Sequence, residues 1–175
     1  MSANRAEVRI DSEPRVIRCN ALAPTSIDEL LRRYRLTAER VAVDSPIPGS
    51  YWGGSEAGLY RNRLYWRDDT PVHSLLHELA HYVCMDGERR SDLDTNAGGD
   101  DEEECAVCYL EILLADLLPG FGSHLCCADM DAWGYSFREG TARRWFEGDG
   151  AEARDWLLQR KLIRTDGSPS WRLRN

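Results

Sequence analysis

The sequence predicts an α+β fold in which a small sheet packs against one face of a central helix. A strand-like run at 58–66 precedes an amphipathic helix within 70–87, and a second apolar helix follows at about 101–118. The two helices and the strand region together account for the predicted core of the fold.

The N-terminal part of the chain carries one helix signal and several weaker extended segments. Residues 6–19 alternate weakly, which predicts an edge strand or an irregular arm. Ser26 is placed to cap an amphipathic helix over Ile27–Arg35. The segment 41–43 predicts a short strand. The Gly- and Pro-rich segment 44–58 predicts a loop that borders a cleft.

The central helix has recognisable start and stop signals. Thr70 is a suitable N-cap, Pro71 sits where proline is tolerated in the first turn, and Gly87 supplies a stop. These signals bracket a helix of about 15 residues. Its apolar residues recur at helical spacing and predict one buried stripe, formed by Val72, Leu75, Leu76, Leu79 and Val83.

The opposite side of this helix carries the sequence His-Glu-Leu-Ala-His at 77–81, an HExxH pattern. His77 and His81 lie one helical turn apart, so their imidazoles can share one zinc ion. Glu78 lies about 100° round the helix, near the metal but not ligating it, where it can accept a proton from a zinc-activated water. Chance would give roughly 0.007 such patterns at this composition, so we interpret it as a zinc hydrolase motif.

One further histidine on the same side is not expected to be a ligand. His73 precedes His77 by one turn, and three ligands on one straight helix would span about 12 Å. We expect His73 to lie behind the ligands or at the surface. A third histidine in an HExxHxxGxxH motif is excluded, because Cys84 and Gly87 occupy those places. Residues 86–101 lack periodicity and predict a mobile loop.

A glutamate at the start of the second apolar helix is the predicted third ligand. Acidic residues fill 100–104, where the helix dipole favours them. Glu103 differs in phase, because it heads the buried stripe that continues through Val107 and Leu110. A zinc ion beside the first helix would offset the cost of burying this carboxylate. Glu104, one step round the helix, is the alternative.

These segments resemble the short gluzincin-type metallopeptidases of the ImmA/IrrE (M78) group. In that family the HExxH helix is followed by a helix of the form ExxAxxFxxxLL, whose first Glu is the third zinc ligand. The resemblance covers about residues 58–118, with Tyr in place of Phe. At the matching positions this chain has Glu103, Ala106, Tyr109, Leu113 and Leu114.

The resemblance implies a zincin-like, minimal gluzincin fold and a zinc metallopeptidase acting on a protein or peptide substrate. Zinc would be held by His77, His81 and Glu103, and Glu78 would act as general base and then as acid. A polar group must also stabilise the oxyanion, and the candidates are Tyr51, Tyr60 and Tyr135. The alternative is a non-catalytic, zinc-binding regulatory or interaction module, in which Glu78 is dispensable.

The cysteines offer a different metal site. The chain has 6 Cys, which we expect to be thiols rather than disulfides. A structural zinc site is a second hypothesis, because a CxxC pair is followed, after 17 intervening residues, by two adjacent cysteines, with a histidine nearby. Its ligands would come from Cys105, Cys108, Cys126, Cys127 and His124.

We expect one domain, 1–175, with the metal-site core at about 58–118 and a helical C-terminal part at about 129–164. That part contains predicted helices near 141–147 and 151–162. Its tryptophans are expected in the core: Trp133, Trp145 and Trp156.

The overall composition argues against two classes of partner. The net charge of −8 argues against nucleic-acid binding through a general basic surface. No apolar run approaches the roughly 20 residues of a membrane helix, and the N-terminal residues lack the apolar core of a signal peptide. We therefore expect a cytoplasmic protein without a membrane or nucleic-acid partner.

Overall fold

Seven α-helices and a three-stranded sheet make up the described part of the computed structural model, residues 13–138 and 140–175. The α+β class predicted from the sequence is confirmed. The strands are β1 (Thr37–Arg40), β2 (Gly58–Tyr60) and β3 (Arg63–Trp66). The helices are α1 (Pro24–Arg33), α2 (Val72–Cys84), α3 (Gly87–Asp92), α4 (Asp101–Ala115), α5 (Gly122–Trp133), α6 (Ala142–Glu147) and α7 (Ala151–Gln159).

The sheet has the strand order β1-β3-β2, with β1 parallel and β2 antiparallel to β3. The predicted strand run at 58–66 is therefore a tight hairpin. Leu59 and Leu64 are register partners on it, and both are fully buried. Their side chains join the hydrophobic cluster that also contains the apolar face of α2. The sheet thus packs on the central helix as predicted.

Two extended segments differ from the sequence prediction. The short strand expected at 41–43 does not form there. The chain forms β1 immediately before that segment, and Val43 is 49% exposed. Backbone pairing with β3, rather than apolar side chains, determines where this edge strand forms. Half of the strand or arm expected at 6–19, residues 6–12, lies outside the described residues. Within 13–19 the chain makes one isolated bridge, from Arg18 to Pro71.

The central helix α2 runs over Val72–Cys84, and every residue of its predicted apolar stripe is fully buried. Its ends differ slightly from the prediction. Pro71 occupies the N-cap position, and the Thr70 hydroxyl accepts a hydrogen bond from the Arg67 backbone N–H at 2.9 Å instead of capping the helix. The chain leaves α2 at Met85, before the predicted stop.

A short helix interrupts the loop predicted at 86–101. The Asp86 side chain accepts a hydrogen bond from the Arg89 backbone N–H at 2.8 Å and caps α3. The Asp100 side chain caps α4 in the same way, through the Glu103 backbone N–H at 2.9 Å. Side-chain caps therefore define both helices that follow α2.

The helix α4 packs against α2 on one side and against α5 and α7 on others. The helix α5 was not anticipated from the sequence, whereas α6 is confirmed and is capped by Thr141. Trp145 and Trp156 are buried as predicted. One hydrophobic cluster runs from Cys19 to Ile163 and joins all these elements. Within the described residues, no helix has the length and apolar character needed to cross a membrane.

Candidate metal centre

The two histidines of the HExxH motif contact each other on the side of α2 opposite its apolar stripe. Their Nε2 atoms are 3.1 Å apart, and their rings lie at 90° to each other. Both rings border a cleft of about 390 Å³. Since the apolar stripe fixes how α2 sits on the core, the helical spacing alone directs His77 and His81 into this cleft.

A carboxylate from α4 completes a three-residue group with these histidines. One Glu104 oxygen lies 3.4 Å from His77 Nε2, and the other lies 3.4 Å from His81 Nε2. Tetrahedral zinc with bonds of about 2.0–2.1 Å holds its ligand atoms about 3.3 Å apart. The three side chains are thus spaced closely enough to bind one metal ion.

Glu103, the residue expected beside the histidines, lies elsewhere. Its side chain is only 5% exposed, and it forms ion pairs with Arg89 and Arg174. The contact from Arg174 Nη1 to Glu103 Oε2 is 2.8 Å. The predicted burial is confirmed, but two guanidinium groups rather than the histidines neutralise the buried charge. The alternative, Glu104, is the residue that the structure brings to His77 and His81.

A second glutamate of α4 contacts the ring nitrogen of His77 that does not face Glu104. Glu111 is fully buried, and its Oε2 lies 2.9 Å from His77 Nδ1. If Nδ1–H donates to this carboxylate, the Nε2 lone pair is left pointing at Glu104, as metal-binding histidines require. This role was missed from the sequence. The available signal was the line of Glu104, Cys108 and Glu111 along one face of the helix.

The same neighbourhood contains a second group with metal-ligand atoms, formed by His77, Cys108 and Glu111. Its separation of 2.9 Å between Nδ1 and Oε2 is that of a hydrogen bond. It is shorter than the roughly 3.3 Å between two ligands of a tetrahedral zinc. We interpret this group as the support of His77 rather than as a separate centre.

Glu78, the predicted general base, lies half-buried in the wall of the cleft. Burial raises the pKa of its carboxyl group to about 7. A carboxyl group with a pKa near neutrality can both accept and return a proton at physiological pH. Of the tyrosines considered for the oxyanion, Tyr51 and Tyr135 border the cleft, whereas Tyr60 does not.

The floor of the cleft is aromatic. His73 is fully buried, with its ring 5.2 Å from that of Trp133 and 5.7 Å from that of Tyr135. Neither ring nitrogen has a hydrogen-bond partner among the described residues. Burial lowers the pKa of His73 to about 3, so the ring is neutral. Of the two positions expected for His73, the one at the surface is therefore wrong, and the ring lies buried outside the ligand group.

Two connecting segments form the rim of the cleft. Tyr51 and Trp52 come from the loop predicted to border it, and both are largely exposed. Residues 95–98, between α3 and α4, form the facing side. Trp133, expected in the core, instead borders the cleft, where its Nε1–H donates to Glu56 Oε1 at 3.0 Å.

The cysteine metal site is not assembled. Among the described residues, the groups with metal-ligand spacing are the two that contain His77. Cys105 is exposed on α4, and His124 interacts with Arg143 at the surface. All six cysteines are free thiols, as expected.

A scan against protein-family models and searches of curated proteins and of solved structures found no match to this chain. The family resemblance therefore depends on the HExxH motif and on the helix that follows it.

Proposed function

We propose that this protein is a zinc-dependent metallopeptidase. The observation that carries the proposal is the spacing of 3.1–3.4 Å among His77 Nε2, His81 Nε2 and the Glu104 carboxylate. These three donors border a cleft that also contains Glu78. Three protein ligands leave a fourth zinc position open, which distinguishes catalytic from structural zinc sites.

The proposed ligands are His77, His81 and Glu104, which replace the set with Glu103 expected from the sequence. Two imidazoles and one carboxylate are the ligand set of a well-known class of hydrolytic zinc sites. Glu111 supports this assignment, because its hydrogen bond to Nδ1 orients the His77 ring. The metal is zinc in this proposal because imidazole ligands suit zinc and the motif itself is typical of zinc hydrolases.

Each cleft residue has a chemical task. Zinc at this site supplies a Lewis acid that acidifies water and polarises the scissile carbonyl. The Glu78 carboxylate accepts the proton of the attacking water and delivers it to the departing amine. Burial raises the pKa of this carboxyl group in the metal-free site, which favours its taking up a proton. Tyr135 and Tyr51 are the candidates to donate a hydrogen bond to the oxyanion.

The arrangement of elements supports a zincin-like, minimal gluzincin fold of the ImmA/IrrE type. A small sheet packs on one side of the HExxH helix, and a following helix contributes a glutamate from the other side. Two connecting segments form the rim of the cleft, and we infer that an extended chain enters between them. We propose a protein or peptide substrate on this basis.

Substitution of Glu78 tests catalysis separately from metal binding. We expect Glu78→Gln to retain one equivalent of zinc and to lose cleavage of a labelled unfolded protein by about 10²- to 10⁴-fold, since an amide cannot accept the proton. Glu102→Gln, on the exposed start of α4, is the matched control and is expected to keep full activity.

Equal cleavage by the wild type and Glu78→Gln would show that the mechanism is wrong. If the wild type binds zinc but cleaves nothing across a library of unfolded proteins and peptides, the non-catalytic zinc module is the better interpretation. Loss of zinc from Glu78→Gln would show that this carboxylate is itself a ligand.

A further inference from the structure

A second cavity, of about 720 Å³, lies where the chain leaves α1 and α7. Its lining is strongly basic, and no Asp or Glu side chain is part of it. The chain as a whole has a net charge of −8, so its composition does not explain this concentration of positive charge. The cations are Arg35, Arg160, Lys161, Arg172 and Arg174.

Four of these cations have no carboxylate partner within 13–138 and 140–175. Arg174 pairs with Glu103, but Arg35, Arg160, Lys161 and Arg172 form no ion pair with a described residue. The negative ends of the α1 and α7 dipoles offset part of this charge, because Arg35 and Lys161 directly follow those last turns. Arg172 receives no such compensation. Arg35, Lys161 and Arg172 are exposed, so water screens much of their mutual repulsion, and an anion that enters the cavity is attracted by all of them.

The backbone around the cavity adds a second observation. Arg35, Lys161 and Trp171 all line it, and their φ angles are 56°, 59° and 64°. At the positions after helix ends, this left-handed conformation usually belongs to glycine, which adopts it at lower cost. Here two of the positions carry cations, and both residues line the same cavity. Strained non-glycine residues concentrate at functional sites because the side chain, not only the turn, is needed there.

We propose that this basic cavity binds a small ligand carrying a di- or triphosphate group. Guanidinium groups donate paired hydrogen bonds to phosphate oxygens, and several of them can surround one polyphosphate. A concave site of this size suits a small molecule. The phosphates are what it recognises, because the aromatic rings are already engaged. Arg33 covers the Trp171 ring at 4.5 Å, and Tyr34 packs against that ring at 5.2 Å. Arg90 covers the Tyr82 ring at 5.2 Å.

Calorimetric titration of the full chain with inorganic triphosphate and with ATP tests this proposal. We expect both to bind, with affinities within tenfold of each other, since the base makes no contact of its own. The double variant Arg35→Glu/Arg172→Glu should lower both affinities at least tenfold. The control Arg143→Glu/Arg144→Glu makes the same charge change on exposed positions of α6 and should leave both affinities unchanged.

Four results would overturn the proposal. These are no binding by the wild type, undiminished binding by the Arg35→Glu/Arg172→Glu variant, and equal losses in both double variants, which would indicate a general charge effect. The fourth is tighter binding of a poly-glutamate peptide than of triphosphate, which would assign the cavity to an acidic protein partner. Circular dichroism and the thermal midpoint verify that each variant is folded. If Arg35→Glu/Arg172→Glu fails to fold, Arg160→Gln/Lys161→Gln replaces it with the same expected loss.

Discussion

Substitution of the two adjacent glutamates at the start of α4 is predicted to affect two different properties, zinc binding in one case and stability in the other. Glu104 lies 3.4 Å from each histidine Nε2, whereas Glu103 pairs with Arg89 and Arg174. Glu104→Gln should therefore lose zinc while keeping the fold. Glu103→Gln should lose stability while keeping zinc.

The size of the first effect follows from the number of ligands. Structural zinc sites with four ligands bind with about 10–16 kcal/mol, which is about 2.5–4 kcal/mol for each ligand. Since a factor of ten in affinity is about 1.4 kcal/mol, Glu104→Gln should weaken zinc binding by roughly 10²- to 10³-fold. Glu104 is half exposed, so the free energy of unfolding without zinc should change by less than about 0.5 kcal/mol.

The size of the second effect follows from burial. The Glu103 side chain is 5% exposed, whereas Arg89 and Arg174 are 31% and 26% exposed. Because the arginines can recover hydration, the loss should fall below that of a fully buried pair, at about 1–3 kcal/mol of unfolding free energy. Zinc affinity should stay within about tenfold of the wild type, since no ligand is removed.

The assay is a competition titration of zinc against a chromophoric chelator, with urea unfolding measured on zinc-free protein. Glu102→Gln is the common control, because this residue is exposed on the same helical turn. If Glu103→Gln loses zinc by 10²-fold or more and Glu104→Gln does not, the assignment of Glu104 as a ligand is wrong. The third ligand would then be Glu103, the one expected from the sequence.

Three further predictions concern the surroundings of the metal. Glu111→Gln should weaken zinc binding about 10- to 100-fold without removing a ligand, and an unchanged affinity would contradict the orienting role. His73→Leu removes two buried nitrogens that lack partners, so the free energy of unfolding should not fall and should rise by about 1 kcal/mol; a fall of 2 kcal/mol or more in urea unfolding would show that the ring has a partner. Removal of zinc by a chelator should lower the thermal midpoint of the wild type, and the same treatment should leave the midpoint of His77→Ala/His81→Ala unchanged.

The strongest local signals in the sequence predicted the central helix and the extended run at 58–66 correctly, but not that this run folds into a hairpin. The stripe of α2 has both the spacing and the apolar residues of a buried face, so the opposite side of the helix could be assigned to the cleft. The positions of His77, Glu78 and His81 at the cleft follow from this. Short-range periodicity is sufficient to assign the buried side and the opposite side of an element when one of its faces is apolar along the whole length.

Predicting the third ligand required tertiary contacts, which helical phase does not specify. Glu103 lies on the buried side of α4 as predicted, but burial does not specify the neighbour. Its partners come from α3 and from the distant Arg174, whose contacts depend on the tertiary arrangement. The helix α5 was missed for a related reason, because it lacks a side-chain cap and has few buried residues, one of which, Asp129, is polar.

The ligand set itself is tested most directly by zinc K-edge X-ray absorption on the zinc-loaded protein. Two imidazole nitrogens and oxygen ligands, all at about 2.0–2.2 Å, are predicted, with no sulfur. The spectrum of Glu104→Gln should show altered or lost zinc coordination, whereas that of Glu103→Gln should match the wild type. A zinc–sulfur distance of about 2.3 Å would contradict the proposed ligand set and would place the metal on Cys108, on the other side of His77.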